Sequence, residues 1–170
     1  SYLTCLRDDD QLPFEIDATT LDAMWRSDFA AYAERLSKVE NEQFVPYDHV
    51  LFIRDKMKSA LFEGGGRFIV DLPPRHSKTF TLNKWLPTWY LDTFPGRNVM
   101  TCSYNEKLAT GNGRFVRDVI RHNPSSEVSV RPDASSVTDW QTVAGSEFLS
   151  TGISGTMTGR GYHLGIIDDP

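Results

Sequence analysis

Two apolar stripes at helical spacing occupy the first part of the chain. The first is made of four side chains three or four positions apart: Trp25, Phe29, Tyr32 and Leu36. The second predicts a helix from about Tyr47 to Phe62 with four buried residues: Val50, Ile53, Met57 and Leu61. Apolar residues at this spacing share one face of a helix. We therefore expect two amphipathic helices in this region, the first of them within a helical segment spanning residues 1–43.

The pattern then changes to short apolar runs bounded by glycine or proline. Three such runs predict buried strands: Arg67–Leu72, Asn98–Cys102 and Tyr162–Ile167. Helices are predicted between them, one from Ser77 or Lys78 through Trp85 and another capped by Asn105. Strands separated by helices require crossover connections. The order therefore predicts an α/β fold with a mostly parallel sheet flanked by helices.

Residues 123–151 interrupt this alternation. The segment 123–136 is polar and is predicted to be a loop. Val137–Val143 and Glu147–Thr151 have strand-like composition and lie on either side of Ala144 and Gly145. A glycine-containing turn between two such runs favours a β-hairpin. We expect this hairpin to be inserted into the α/β domain.

Composition narrows the class of protein. The chain has 170 residues, 39% hydrophobic and 24% charged, which is typical of one globular domain. Its net charge of −5 excludes a broad basic surface for nucleic acid or anionic lipid. No apolar run approaches the ~20 residues of a membrane span, so no membrane association is expected. Two cysteines make no disulfide framework and are typical of a reducing cytosol.

A candidate phosphate-binding loop lies between a predicted strand and a predicted helix. Backbone N–H groups and a helix N-terminus converge on an anion in such a loop. Lys78 would pair with the β- and γ-phosphates, and the Thr79 hydroxyl would ligate Mg²⁺. On this segment alone, an ordinary loop that ends at a basic helix start explains the residues equally well. The candidate nucleotide-binding residues are Pro74, Arg75, His76, Ser77, Lys78 and Thr79.

Two consecutive acids follow the last apolar run. Asp168 would hold Mg²⁺ through water, and Asp169 would orient and polarise the attacking water. An apolar strand that ends in acids beside a phosphate loop is the Walker B arrangement. The alternative is a solvated acidic turn, which Asp-Pro commonly forms. The occurrence of both segments in one chain favours a nucleotide site.

Together these segments resemble the ATPase domain of the large terminase subunit, the motor that packages DNA into the heads of tailed phages. The resemblance begins at Phe44 and covers a variant Walker A at 68–79, Thr158–Gly161 and the Walker B run at 166–170. It implies a P-loop NTPase of the additional-strand, RecA-like kind over 44–170. Ser77 stands where the family usually has glycine, and a loop that needs positive φ there would lose ATP affinity.

The resemblance also implies roles for two arginines. Arg75 would contact the γ-phosphate from within the loop. Arg160 would act as a finger in the site of a neighbouring subunit, a role that can contribute ~10³–10⁵ in rate. Arginine suits this role because it stays charged and binds phosphate with two N–H groups. The alternative for Arg160 is a loop arginine that fixes the backbone or contacts DNA.

The implied activity is ATP hydrolysis, with ATP and Mg²⁺ as cofactors, coupled to double-stranded DNA translocation. The implied partners are the portal protein, the small terminase subunit and further copies of the chain in a ring, in the host cytoplasm at the procapsid portal. The family's nuclease domain and a strand between those of Walker A and Walker B have no counterpart here. We therefore expect the isolated chain to hydrolyse ATP poorly. The alternatives are a helicase-type P-loop ATPase and a non-catalytic scaffold or DNA-binding fragment.

Overall fold

A computed structural model describes residues 23–39, 43–155 and 159–169. Most of the predicted helical segment 1–43, and Thr158 of the glycine-rich run, lie outside these residues. In the described part, residues 23–26 are helical and α1 spans Phe29–Val39. The Asp28 carboxylate accepts a hydrogen bond from the Ala30 N–H over 2.9 Å. The break before α1 at this capping residue divides the predicted stripe after Trp25.

The second predicted helix is confirmed as α2, Asp48–Glu63, and its four predicted buried residues are buried. A third helix runs continuously over residues 78–93. It contains a π-helix at Phe80–Trp85, which leads into α3 at Leu86–Thr93. Pro87 explains the widened turn, because proline has no N–H for the carbonyl of Asn83 and crowds it.

The strand β1, Val99–Ser103, and the helix α4, Glu106–His122, follow as predicted. Asn105 caps α4, since its side chain accepts a hydrogen bond from the Leu108 N–H over 3.0 Å. The segment predicted to be a loop contains β2, Val130–Ser135. That prediction was wrong because β2 lies at the edge of the sheet, where a strand can be polar and needs no apolar alternation.

The predicted hairpin is formed by β3, Asp139–Thr142, and β4, Glu147–Gly152. The last strand, β5, spans Leu164–Asp168. The five strands form one sheet in the order β2-β3-β4-β1-β5. β1 pairs in parallel with both β4 and β5, while β3 pairs antiparallel with β2 and β4. The prediction of a mostly parallel sheet was therefore wrong: the sheet is mixed, because the hairpin strand β4 pairs with β1 and brings β3 and β2 into the same sheet.

The core lies between this sheet and the helices. The π-helix contacts β5, α3 contacts β1, and α4 packs on β1 and β4. The largest fully buried side chains come from both layers and include Trp85, Trp89, Trp140 and Phe148. Along β5, Leu164, Ile166 and Asp168 are half-buried and alternate with exposed Gly165 and Ile167. Alternation along a strand directs Asp168 to the same face as Leu164 and Ile166, which pack against the core.

One predicted strand is absent. Arg67–Leu72 has no regular secondary structure and pairs with no strand among the described residues, and Ile69 is 99% exposed. An apolar run forms a strand only where a neighbouring edge is in hydrogen-bonding reach. A cleft of about 380 Å³ separates this segment from β5 and is lined by both, with the residues Gly66, Phe68, Val70, Gly165 and Ile167 among its walls.

Candidate nucleotide and cation site

The carboxyl end of β5 meets the start of the helix at residue 78. The Lys78 ammonium lies 3.2 Å from Asp168 Oδ1 and also contacts Asp169 Oδ1. Thr79 Oγ1 donates a hydrogen bond to Asp168 Oδ2 over 2.7 Å. The structure therefore brings together two consecutive residues of the loop and two consecutive acids that are ninety residues further along the chain.

The electrostatics of this cluster favour a charged lysine. The hydrogen bond to Asp169 raises the pKa of Lys78, partial burial opposes this, and Asp168 adds to the rise. Because the ordinary pKa of lysine is about 10.4, Lys78 is an ammonium at every physiological pH. The Lys78 ammonium now pairs with carboxylate oxygens, and a phosphate oxygen could accept the same charge-assisted hydrogen bonds in their place.

The loop before Lys78 has two residues in the left-handed region. Arg75 has φ 68° and Ser77 has φ 60°. The Ser77 carbonyl accepts the first helical hydrogen bond, from the Thr81 N–H over 2.8 Å. The position at which the sequence carries serine therefore has the conformation that glycine adopts without strain.

A cavity of about 420 Å³ is lined by the loop and by one of the acids. Pro74, Arg75 and His76 are exposed around it. His76 Nδ1 lies 3.2 Å from the Pro73 carbonyl and 3.1 Å from the Pro74 carbonyl. This volume is in the range of ordinary small-molecule sites. The lining of the cavity extends over Asp71–Phe80 and Asp169.

Arg160 is the predicted site residue that lies elsewhere. Its guanidinium forms two hydrogen bonds with the Asp139 carboxylate on β3, over 2.9 and 2.8 Å. Two strands, β4 and β1, lie between β3 and β5 in the sheet, so Asp139 holds the guanidinium on a strand that does not neighbour Asp168. Arg160 therefore does not reach the Lys78 cluster of its own chain.

The residue types at the cluster fit a hydrated Mg²⁺ ion. Thr79 and Asp168 supply hard oxygen donors within hydrogen-bonding distance of each other. Mg²⁺ in nucleotide sites takes one or two protein oxygens and completes its shell with phosphates and water. No group of three or more His, Cys, Asp or Glu ligands occurs among residues 23–39, 43–155 and 159–169. A dedicated all-protein metal cage is thus absent from the described chain.

Sequence reasoning missed Asn83. This residue is fully buried, and its Nδ2 donates to Asp168 Oδ2 over 2.8 Å. The usable signal was its position four residues after Thr79, because residues at this spacing share one side of a helix.

Comparison with known proteins identified no relative: neither a scan against protein-family models nor a search of curated proteins matched this chain. In the described part of the chain, every helix is too short or too polar to cross a membrane.

Proposed function

We propose that this chain binds ATP with Mg²⁺ and is the ATP-hydrolysing motor domain of a large terminase subunit, with a P-loop fold of the additional-strand kind. The observation that carries the proposal is the position of Lys78 against Asp168 and Asp169, with Thr79 on the same carboxylate. This is the set of groups that a nucleoside triphosphate with its cation requires.

Each residue has a separate task in the proposed reaction. The Lys78 ammonium binds β- and γ-phosphate oxygens, and Thr79 and Asp168 hold the cation. When bound, Mg²⁺ neutralises charge that develops on the phosphates. Phosphate oxygens replace the Asp169 carboxylate on Lys78. Asp169 is then free to orient the attacking water and accept its proton.

The two arginines differ in availability. Arg75 is exposed and has no ion-pair partner among the described residues, so it is free to contact the γ-phosphate of its own site. Arg160 is paired with Asp139, and the two side chains are 39% and 42% exposed. Two parallel hydrogen bonds make this a bidentate pair, which is stronger than an ordinary exposed ion pair. Release of Arg160 into a neighbouring subunit's site therefore requires an oxyanion there, such as the γ-phosphate, to replace Asp139.

The proposed partners follow from the same resemblance. Double-stranded DNA is the translocated substrate, and the portal protein, the small terminase subunit and a ring of identical subunits assemble around it in the host cytoplasm. The net charge of −5 supports a role in which partners bring DNA to the motor, because autonomous DNA binding rests on many phosphate contacts.

Turnover in the assembled motor tests this proposal. ATP hydrolysis by the complete subunit is measured with and without double-stranded DNA and portal, for wild type and for Arg160→Ala. We expect both partners to be required for full turnover. Arg160→Ala should lower turnover in the ring by about 10³-fold or more and leave ATP binding intact. Lys58→Ala, which removes an exposed cation from α2, is the matched control.

The other outcomes separate the alternatives. Turnover that needs DNA but ignores the portal would favour a helicase-type ATPase. An equal loss in monomeric Arg160→Ala would contradict a role in trans. If the wild-type protein binds no nucleotide, the result would favour a non-catalytic scaffold or DNA-binding fragment.

A further inference from the structure

Three side chains hold the carboxylate of Asp168. Thr79 Oγ1 and Asn83 Nδ2 donate to the same oxygen, Oδ2, over 2.7 and 2.8 Å. Lys78 Nζ lies 3.2 Å from the other oxygen, Oδ1. Lys78 and Thr79 belong to the phosphate loop and are needed for the nucleotide. Asn83 is the one of the three that serves the carboxylate alone.

The burial of Asn83 requires an explanation. Its side chain is fully buried, and its Oδ1 accepts no hydrogen bond from the described residues. A buried acceptor without a partner destabilises a fold, whereas leucine of similar size would bring no such penalty. The amide is therefore explained by Asp168 together with a hydrogen-bond donor that reaches Oδ1.

The backbone at Asn83 is also unusual. Asn83 lies within the π-helix Phe80–Trp85, and the Leu86 N–H donates to the Thr81 carbonyl, five residues earlier. Pro87 follows four residues after Asn83 and cannot donate to its carbonyl. Single π-helical turns are rare and frequently occur at functional sites. The widened turn lies beside Asp168, because the π-helix contacts β5.

We propose that Asn83 is a positioning residue of the cation site. Its Nδ2–H holds Oδ2 of Asp168, and its Oδ1 would be available to a hydrogen-bond donor that enters the site with the cation. This inference rests on the proposed function. It assigns to Asn83 the task of keeping Asp168 oriented while Thr79 turns its oxygen to the cation and Lys78 turns to the phosphates. Residues behind a metal ligand commonly have such a role.

The test compares cation-dependent with cation-independent nucleotide binding by the full chain. The dissociation constant of a non-hydrolysable ATP analogue is measured by calorimetry in Mn²⁺ and in EDTA. The dissociation constant in EDTA divided by that in Mn²⁺ is the factor by which the cation strengthens binding, and this ratio isolates the contribution of the cation. A purely structural role for Asn83 would weaken both constants equally and leave the ratio unchanged. We expect Asn83→Leu to lower the ratio about 10- to 100-fold.

Thr81→Val is the matched control. Thr81 lies in the same π-helix, is buried, and its hydroxyl has no partner among the described residues. Its ratio should equal that of the wild type. An Asn83→Leu ratio equal to the wild-type ratio would overturn the inference while leaving the proposed function intact. A wild type that binds no analogue in either condition would overturn both.

Asn83→Ser keeps the test usable where Asn83→Leu does not fold, because serine is smaller and still polar. Its side chain is too short to replace the Nδ2–H that donates to Asp168 Oδ2 over 2.8 Å. The ratio, measured at one pH, should therefore fall as it does for Asn83→Leu. A ratio equal to that of the wild type would contradict the inference.

Discussion

Strain in the loop before Lys78 is concentrated at single residues. Ser77 has φ 60° although it carries a Cβ, and an L-residue in this region loses about 1–2 kcal/mol relative to its ordinary conformations. Glycine avoids this cost but gains about 0.5–1 kcal/mol of conformational freedom when the chain unfolds. Part of the strain should therefore be recoverable by substitution.

We expect Ser77→Gly to raise the free energy of unfolding by up to about 1 kcal/mol, measured by urea denaturation. Ser77→Ala is the control, since it removes the hydroxyl but keeps the Cβ and therefore the strain. Its stability should not exceed that of the wild type. A Ser77→Gly variant less stable than the wild type would show that the left-handed conformation is not strained.

At the residue scale, the sequence was sufficient to predict which side chains meet where they belong to a recognisable motif. Lys78, Thr79 and the two acids were predicted to converge because a strand and a loop with known chemistry suggested it, and they do so. Asn83 was missed because its burial and its contact with Asp168 arise from tertiary packing. The pairing of Arg160 with Asp139 was equally unpredictable, since it joins a loop to an inserted hairpin.

At the scale of helices and strands, the buried carboxylate of Asp92 connects α1 and α3 with the loop after α4. Asp92 in α3 accepts hydrogen bonds from the Tyr32 hydroxyl of α1 over 2.8 Å and from Ser126 Oγ over 2.6 Å. Arg26 lies 3.4 Å from the same side chain. A carboxylate this deeply buried is tolerated only when it is paired and hydrogen-bonded. The network therefore fixes how α1 packs on α3.

Tyr32 makes this contact sensitive to alkaline pH. Burial, followed by the negative charge of Asp92, raises the pKa of Tyr32 well above its ordinary value. The phenol stays protonated in the folded chain, while it ionises near pH 10 when unfolded. Its stabilising contribution is complete below about pH 10 and is lost as pH rises through the raised folded-state pKa.

We expect Tyr32→Phe to lower the free energy of unfolding by about 1–3 kcal/mol near pH 8, because it removes a hydrogen bond from a buried carboxylate. The difference between wild type and variant should shrink as the pH is raised above about 10. Urea denaturation at a series of pH values measures this. A difference that stays constant across the alkaline range would contradict the assignment to the Tyr32 phenol.

Most elements could be predicted because they bury a regular apolar pattern. The α2 face, β1, the hairpin and β5 all follow from periodicity and turn residues. β2 was missed because the pattern of an exposed edge strand is set by its neighbour, and the π-helix depends on how the helix accommodates Pro87. Arg67–Leu72 has the composition of a strand, but its partner edge is out of reach.

For the whole molecule, the α/β class was correct and the sheet is mixed, with two parallel and two antiparallel pairings. Periodicity does not encode which strands become neighbours. That arrangement depends on packing between distant segments, here α4 on β1 and β4. The cleft between residues 65–70 and β5 likewise results from how these two segments are placed in the folded chain, which the sequence pattern does not predict.

The proposed nucleotide site depends most on Lys78 as its phosphate-binding group. Calorimetric titration of the full chain with a non-hydrolysable ATP analogue and Mg²⁺ measures this directly in wild type, Lys78→Ala and the Lys58→Ala control. We predict binding by wild type and by Lys58→Ala. Lys78→Ala should bind at least about 10- to 100-fold more weakly, because charge-assisted hydrogen bonds to phosphate are lost. Equal binding by wild type and Lys78→Ala, or no binding by wild type, would contradict a triphosphate site at Lys78.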